Sequence, residues 1–354
     1  MQYDFLVYVG RFQPFHSGHY HVVTEALKLS QHVIFVIGSD SRARDTRNPY
    51  TTPERISFIR AALNDDGVDH RIHFCPQVDH TYNDDRWIAA IQSSVAATVY
   101  RHHTYTNGAP RIGIVGYAKD HSSYYLRKFP QWELVNITPY NNVCATELRS
   151  LLFTEYFDLL ENSDITSKIY NKFFVNHKHK DIIEHVSSGL YDIATEFKFL
   201  ADYKKQWATV PYPVTFNTVD AVVSQSGHVL LVERGAMPGN GLLALPGGFI
   251  NQSETLQEAA IRELKEETKL DIPIPALVGS IVKVKTYDDP HRSQRGRTIT
   301  TVFHFKLNDN FDLPKVRGAD DAKYASWTSF NDVALSRDMF FEDHFDIISD
   351  MIGI

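Results

Sequence analysis

The chain has 354 residues, a length that predicts two domains of about 100–200 residues each. Apolar residues make up 43% and charged residues 22%, so each half can bury an ordinary core and neither has the composition of a disordered segment. The 36 basic and 43 acidic residues give a net charge of −7, which disfavours nucleic acid or an anionic membrane as the main partner.

The two cysteines, Cys75 and Cys144, are too few for a disulfide framework and suit a reducing compartment. The chain starts Met-Gln-Tyr-Asp, without the basic and apolar regions of a secretory leader, and no apolar run approaches about 18 residues. We therefore expect a cytoplasmic protein that neither is secreted nor spans a membrane. The sequence leaves the oligomeric state open, with a homo-oligomer as one option.

The first half alternates short apolar runs with helical patterns, and a glycine follows each apolar run. The predicted elements are strands at 5–9, 32–37 and 111–115 and helices at 20–30, 54–63 and 87–98. This alternation predicts an α/β fold with a Rossmann-like parallel sheet. In such sheets the ligand crevice lies beyond the carboxyl ends of the strands, where Gly10 and Gly38 fall.

The sequence pattern changes after residue 150. Strand patterns are replaced by charged, helix-forming residues, and Pro211 and Pro213 end this helical pattern. Strand patterns then return at 218–223, 228–232, 279–285 and 298–307, with a helix at 254–268. We predict an N-terminal domain over 1–180 and a second domain over 181–354 that begins with a helical connector at 181–210.

The first motif, Gly10-Arg-Phe-Gln-Pro-Phe-His-Ser-Gly-His19, lies where a strand turns into a helix. Gly10 lets the backbone approach a ligand, and His16 and His19 share one face of the first helical turn. Free N–H groups at a helix start suit a phosphate, and imidazoles there can stabilise charge on a transferring phosphoryl group. Isolated, such a histidine pair would more simply be structural.

This motif resembles the His-x-Gly-His signature of the nucleotidylyltransferase superfamily, and its flanking residues resemble the nicotinamide mononucleotide (NMN) adenylyltransferase branch. Residues Cys144 to Arg149 resemble the second motif of the family, Ser-x-Thr-x-x-Arg, with Cys144 in place of serine. The resemblance implies in-line attack of the NMN phosphate on the α-phosphorus of ATP, giving NAD and pyrophosphate, with Mg²⁺ or Mn²⁺ as cofactor.

The same resemblance implies a set of site residues. His16, His19 and Arg149 would be catalytic, and Asn83 and Trp87 would bind NMN, although Trp87 alone is equally well explained as a core aromatic. An indole face can stack on a pyridinium ring. The implied ATP-binding residues are Gly10, Arg11, Phe12, His16, Gly18, His19, Arg47, Thr146 and Arg149.

The second motif follows Pro246-Gly247-Gly248 and places Glu263, Glu266 and Glu267 on one helical face. Stacked carboxylates repel one another unless cations lie between them, and hard oxygen ligands suit Mg²⁺ or Mn²⁺. Three glutamates alone would indicate only a solvated acidic face.

With its spacing from Gly248, the motif resembles the Nudix hydrolase box except at Lys269, where glycine is usual. The resemblance implies an α/β/α sandwich in which Gly248, Glu263, Glu266 and Glu267 hold metal. The three glutamates would be the catalytic residues, and which of them, if any, is the general base stays open. Glu254 and Arg262 would brace the loop and helix.

The loop from Asp288 to Arg297 resembles that of ADP-ribose pyrophosphatases, with Arg292, Arg295 and Arg297 as candidate substrate ligands. The simpler alternative is a solvated surface loop. The two resemblances imply a fused enzyme that makes NAD and hydrolyses ADP-ribose to AMP and ribose 5-phosphate. The alternative is a nucleotidylyltransferase for another phosphate acceptor, fused to a non-catalytic Nudix-like ligand-sensing module.

Histidines are frequent, at 17, but His102-His103 and His177-Lys178-His179 lack further ligands at metal spacing. We predict that these are surface histidines.

Overall fold

The computed structural model describes residues 1–64, 67–103, 108–116, 125–138, 140, 143–154, 156 and 173–354. The chain divides into two compact units, Met1–Ala194 and Thr195–Ile354. The domain boundary at residue 180 stays a prediction, and that residue lies inside a helix of the first unit. In the part of the chain that the structure describes, no helix is long and apolar enough to cross a membrane.

The first unit is built on five parallel strands in the order β3-β2-β1-β4-β5. Its described elements are β1 (Tyr3–Gly10), α1 (Ser17–Leu29), β2 (Ser30–Ile37), α2 (Thr52–Leu63), β3 (Ile72–Pro76), α3 (Asp84–His102), β4 (Ile112–Gly116), β5 (Glu133–Asn136), α4 (Ala145–Thr154), α5 (His177–Ser187) and α6 (Tyr191–Lys205), the last of which continues beyond Ala194. This sheet confirms the predicted Rossmann-like fold.

Strands β1 and β4 are paired at the centre of this sheet. The strands that follow β1 in the chain, β2 and β3, lie on one side of this pair, and β5 lies on the other side, so the strand order reverses between β1 and β4. Open parallel sheets bind ligands at such a reversal, beyond the carboxyl ends of the strands. The Gly38 N–H donates to the Gly10 carbonyl at 3.0 Å, so the chain leaves β1 and β2 side by side. Phe5, Val7 and Ile34 are completely buried in the core that fixes this edge.

The second unit contains a mixed sheet in the order β10-β11-β6-β7-β12, with β8 paired to β7 and β9 paired to β6. Its elements are β6 (Thr215–Gln225), β7 (His228–Arg234), β8 (Leu243–Ala244), β9 (Gly247–Phe249), α7 (Leu256–Thr268), α8 (Ile274–Gly279), β10 (Ile281–Tyr287), β11 (Arg297–Lys306), β12 (Ala322–Ser329), α9 (Phe330–Leu335) and α10 (His344–Ile352). Strands β6 and β11 are parallel and the other pairs antiparallel.

Helix α7 is fixed against this sheet by small and branched apolar side chains. Ala259, Ala260 and Leu264 share a buried core with Val219 and Ala221 of β6. Because apolar residues three and four positions apart lie on one helical face, the opposite face of α7 is left for its glutamates. The predicted helix at 254–268 is confirmed with a later start.

Candidate active sites

The first candidate site begins where α1 starts, directly after the loop that follows β1. His16 is the N-cap of α1, and its Nδ1 accepts a hydrogen bond from the Gly18 N–H at 3.1 Å. The ring of His19 stacks on that of His16 with centroids 3.8 Å apart and an interplanar angle of 24°. The structure thus brings the two predicted histidines into direct contact.

Two glycines are required by close approaches in this loop. A Cβ on Gly18 would lie 3.0 Å from Cε1 of His16, and a Cβ on Gly10 would lie 2.9 Å from Cζ of Phe12. Phe12 itself has a φ of +52°, in the left-handed region that L residues seldom adopt. The loop therefore folds tightly over the end of β1 and carries the histidines inward.

Both imidazoles are neutral in this environment. Burial lowers the pKa of His16 well below its usual value, with the neighbouring His19 acting in the same direction. Burial lowers the pKa of His19 to about 3, and His179 contributes to this shift. Since Nδ1 of His16 accepts from Gly18, its proton is assigned to Nε2, which makes Nε2 a donor.

Arg149 joins α4 to the same loop. Its Nη1 donates to the Gln13 carbonyl at 2.6 Å, and its Nη2 donates to Oγ1 of Thr146 at 3.1 Å. Burial lowers the pKa of Arg149 to about 10, so the guanidinium remains charged at neutral pH. Gln13 in turn exchanges two hydrogen bonds with the Tyr50 backbone, at 2.8 and 3.0 Å.

Arg55 was not predicted as a site residue, yet it organises this edge of the sheet. Its side chain is buried, and Nη1 donates to the carbonyls of Arg11 at 2.7 Å and Gly38 at 2.6 Å, while Nη2 donates to Oγ1 of Thr52 at 2.7 Å. One guanidinium therefore ties the loops after β1 and β2 together. The sequence did contain one indication of this role, because Arg55 falls on the otherwise apolar face of a predicted helix.

The other predicted ligands lie in the loop that follows β2 and at the start of α3. The Arg47 backbone N–H donates to Oδ1 of Asp45 at 2.8 Å. Asn83 is the exposed N-cap of α3, and its Oδ1 accepts from the Arg86 N–H at 2.9 Å. Half-buried Trp87 packs on the core, with its ring centroid 6.0 Å from that of Phe129. Their ligand roles stay predictions.

The second candidate site is centred on Arg262 of α7. Its guanidinium donates to both carboxylate oxygens of Glu254, at 2.7 and 2.9 Å, and to one oxygen each of Glu263 and Glu266, both at 2.9 Å. A further bond of 3.2 Å reaches the Phe249 carbonyl. This is the bracing predicted for Glu254 and Arg262.

Glu267 lies deepest of the three glutamates. It is 7% exposed, and its Oε2 accepts from the Gly247 N–H at 3.0 Å. Burial raises the pKa of Glu267 to about 8, and burial likewise raises the pKa of Glu263. A Cβ on Gly248 would lie 2.6 Å from Oε1 of Glu263, so strand β9 runs directly along the carboxylates.

These donors suit a divalent cation in chemistry. Burial raises the pKa of Glu263 and Glu267, which means that their ionised forms are poorly solvated, and hard oxygen donors are what Mg²⁺ and Mn²⁺ prefer. Among the described residues, no three histidine, cysteine, aspartate or glutamate side chains are placed to hold a metal ion as they stand. Glu263 and Glu266 instead bind the Arg262 guanidinium.

A cavity of about 250 Å³ opens beside these glutamates. Of the three predicted substrate arginines, Arg292 and Arg295 line it, whereas Arg297 is not among the lining residues and donates to the Asp288 carbonyl. Arg292 is buried and pairs with Asp343 at 2.9 and 3.0 Å. Thus only Arg295 of the three has a partly accessible side chain at the cavity.

Sequence reasoning missed Arg234, which also lines the cavity. Its guanidinium lies 4.2 Å from the centroid of the Phe341 ring, and Arg295 lies 5.9 Å from the same centroid. Arg295 also lies 5.4 Å from the Phe249 centroid. Arg234, Arg295 and two aromatic rings therefore share the cavity with the glutamates. Arg234 ends β7 without any motif, so the sequence contained no signal for it.

Lys269, the one departure from the Nudix pattern, is the C-cap of α7 with a φ of +50°. This left-handed conformation is the one that glycine adopts at least cost, which explains the usual residue at this position. The lysine keeps the same backbone course, and its N–H still bonds to the Lys265 carbonyl at 3.0 Å.

The two sites and folds define a two-domain nucleotide enzyme. Residues 7–150 match the cytidylyltransferase-like family, and residues 214–351 match the NUDIX domain family. A nicotinamide/nicotinic acid mononucleotide adenylyltransferase of Acinetobacter baylyi is 34% identical over 153 residues, or 43% of this chain and 77% of that protein. An ADP-ribose pyrophosphatase of Methanocaldococcus jannaschii is 36% identical over 115 residues, or 32% of this chain and 62% of that protein.

A solved structure matches 99% of the chain. It is a bifunctional NMN adenylyltransferase/ADP-ribose pyrophosphatase of Francisella tularensis complexed with AMP and a manganese ion. The TM-score is 0.88 at 33% identity, with 99% of each chain covered. The chain belongs to the family of these bifunctional NMN adenylyltransferase/ADP-ribose pyrophosphatases, as the sequence resemblances predicted.

Proposed function

We propose that this chain transfers AMP from ATP to NMN, giving NAD and pyrophosphate, and hydrolyses ADP-ribose to AMP and ribose 5-phosphate. The observation that carries the proposal is the match over 99% of both chains to the Francisella protein, together with both motif sites on this chain. ATP, NMN and ADP-ribose are its proposed small-molecule partners, and Mg²⁺ or Mn²⁺ its proposed cofactor in both domains.

In the first reaction, catalysis consists of positioning and charge stabilisation. The phosphate of NMN attacks the α-phosphorus of ATP in line, and the bond to pyrophosphate breaks, so no protein nucleophile is required. The neutral His16 donates from Nε2 to a phosphate oxygen, and the charged Arg149 offers its remaining N–H groups. Donors fixed before the reaction cost no reorganisation when charge develops.

In the second reaction, Glu263, Glu266 and Glu267 would hold the divalent cation together with the backbone carbonyl at Gly248. The bound cation would lower the pKa of a water molecule and neutralise the diphosphate oxygens. Arg262 keeps Glu263 and Glu266 oriented through its two bonds of 2.9 Å. Glu267 is held beside these residues by its hydrogen bond from the Gly247 N–H at 3.0 Å.

ADP-ribose suits the cavity because both phosphates and an aromatic base need partners there. Arg234 and Arg295 supply positive charge to a diphosphate, and the Phe249 and Phe341 rings supply flat apolar surfaces. Arg292 contributes through its ion pair with Asp343, which fixes the loop wall, and not through a free guanidinium.

The test uses the purified chain in two assays. ATP is supplied with NMN or with other phosphate acceptors, and ADP-ribose is compared with NADH, diadenosine polyphosphates and oxidised nucleoside triphosphates under Mg²⁺ and Mn²⁺. We expect NAD from the first assay, and AMP with ribose 5-phosphate from the second. Faster turnover of a different acceptor or dinucleotide would overturn that half of the proposal.

A further inference from the structure

His179 lies outside the motifs and outside the matched residues 7–150, yet it is completely buried in the first unit. Its prediction as a surface histidine was wrong; the exposed His177 fits that prediction. Residue spacing did not reveal that α5 turns His179 inward together with Ile183. Burial of a histidine in an apolar setting needs a partner for at least one ring nitrogen.

That partner comes from the turn that precedes α5. Nδ1 of His179 accepts from the Val175 N–H at 3.2 Å, which assigns the ring proton to Nε2. Asn176, the N-cap of α5, accepts from the His179 N–H at 2.8 Å and donates to the carbonyls of Ala61 and Ala62 at 3.1 and 3.2 Å. The ring is therefore fixed in place against the end of α2.

The His179 ring lies at the end of a row of contacting rings that leads to the first candidate site. It lies edge-on to Phe15, with centroids 6.1 Å apart, and Phe15 stacks on His19 at 5.5 Å. His19 then stacks on His16 at 3.8 Å. Phe15 is completely buried, so its ring has no freedom to move away from either neighbour.

The His19 ring has a buried nitrogen, Nδ1, that has no hydrogen-bond partner among the described residues. Without such a bond, packing against neighbouring rings is what determines the orientation of His19. Phe12 contacts it edge-on at 5.1 Å, and Phe15 stacks on its face.

We propose that His179 is a positioning residue for adenylyl transfer, which acts through Phe15 to hold the His19 ring against His16. This rests on the proposed function of the first site. The contact between rings does the positioning, whereas the bond to Val175 serves to anchor α5. Since a misplacement of about 1 Å can cost about a hundredfold in rate, a small change at a buried ring is sufficient to lower kcat.

Three substitutions separate the ring from its hydrogen bond. His179→Phe keeps an aromatic ring beside Phe15 and loses the acceptor for Val175. His179→Asn keeps an acceptor and loses the ring, and His179→Ala loses both. Ile183→Ala is the matched control, because Ile183 is completely buried in the same helix and belongs to no site.

The readouts are kcat and KM for ATP and NMN, hydrolysis of ADP-ribose by the full chain, and the thermal unfolding midpoint. We expect His179→Ala and His179→Asn to lower kcat for NAD synthesis by about 10- to 100-fold with little change in KM. His179→Phe should keep a near wild-type kcat although its unfolding midpoint falls. Hydrolysis should not change in any variant.

Several outcomes would overturn this proposal. An equal loss of kcat in Ile183→Ala would assign the effect to general loosening of α5. A loss in His179→Phe as large as in His179→Asn would assign it to the ring nitrogens, and a rise in KM alone would assign it to substrate binding. If the wild-type chain makes no NAD, the proposed function of the first site itself is wrong.

Discussion

Arg262 holds both carboxylate oxygens of Glu254, through Nη2 at 2.7 Å and Nε at 2.9 Å, although the two residues lie eight positions apart. Because Glu254 precedes α7 and Arg262 lies in its second turn, this paired contact joins the segment before the helix to the helix itself. The planar guanidinium can bind two carboxylate oxygens at once, whereas an ammonium group acts as a single point charge.

We therefore predict that Arg262→Lys lowers ADP-ribose hydrolysis by about 10- to 100-fold and raises the metal concentration needed for half-maximal activity. The physical reason is that Glu263 and Glu266 lose the donor that orients them. Activity is measured against Mg²⁺ and Mn²⁺ concentration, with NAD synthesis as the internal control. Arg337→Lys, which breaks a similar pair with Asp346 away from the cavity, should leave hydrolysis unchanged.

The glutamates give a sharper separation of the two activities. Glu266→Gln or Glu267→Gln should abolish hydrolysis under either metal, since an amide is a weaker ligand than a carboxylate. NAD synthesis by the same proteins should be unaffected. Glu258→Gln is the matched control on α7, because glutamine also completes the capping box with Thr255. Hydrolysis that persists in both test variants would contradict the metal assignment.

At the first site, we predict that His16→Ala or His19→Ala lowers adenylyl transfer by about a hundredfold, the usual cost of a lost transition-state contact. Loss of His16 also removes the acceptor for the Gly18 N–H at the start of α1. Steady-state NAD synthesis is the measurement, and unchanged ADP-ribose hydrolysis shows that the chain has folded. Near-normal synthesis by either variant would refute the catalytic assignment.

Acid pH should destabilise the second unit through His304. Burial lowers the pKa of this histidine to about 4, and its Nε2 lies 2.7 Å from Oγ of Ser224. The unfolded chain, with a pKa of about 6.5 at this residue, binds a proton that the folded chain does not, so the contribution of His304 is present above pH 6.5 and is lost as pH falls towards 4.

This pH dependence is measured as the difference in unfolding midpoint between the wild type and His304→Gln from pH 7 to pH 4. The difference cancels the opposite contribution of Glu267, whose raised pKa favours the folded state at lower pH. We expect the wild type to lose its advantage over the variant as the pH falls. A constant difference across this range would show that His304 does not titrate as described.

The two activities should also survive a cut in the chain. Gly189 is exposed between α5 and α6, so an inserted protease site there avoids both helices. Because each unit holds its own motif residues, we expect cleavage at this point to leave NAD synthesis and ADP-ribose hydrolysis at their uncut rates. Joint loss of both activities on cleavage would show that the sites depend on each other.

Much of the architecture could be predicted, because buried parallel strands read as apolar runs that end in glycine, as at Gly10 and Gly116. The predicted strands at 279–285 and 298–307 lie within two residues of Ile281–Tyr287 and Arg297–Lys306. Strand β12 was not predicted, since Ala322–Ser329 is polar and half-exposed and is defined by pairing with β7.

The candidate sites could be predicted where a motif fixes both residue type and spacing, as for His16, His19 and the glutamates of α7. The remaining site residues depend on contacts between distant segments. Arg292 has the charge expected of a phosphate ligand, but Asp343, fifty-one positions later, already pairs with it. No local pattern contains that information, and the same holds for Arg234 beside Phe341.

The imidazole of His16 caps α1, and this cap affects how strongly the start of the helix would attract an anion. Helices that start with aspartate or carry acids in the first turn are stabilised because negative charge offsets the exposed N–H groups. Helix α1 has no acid in its first turn, and its cap is uncharged. The helix is therefore less stable than one with an acidic first turn, and its uncompensated positive end would attract the triphosphate of the proposed substrate ATP.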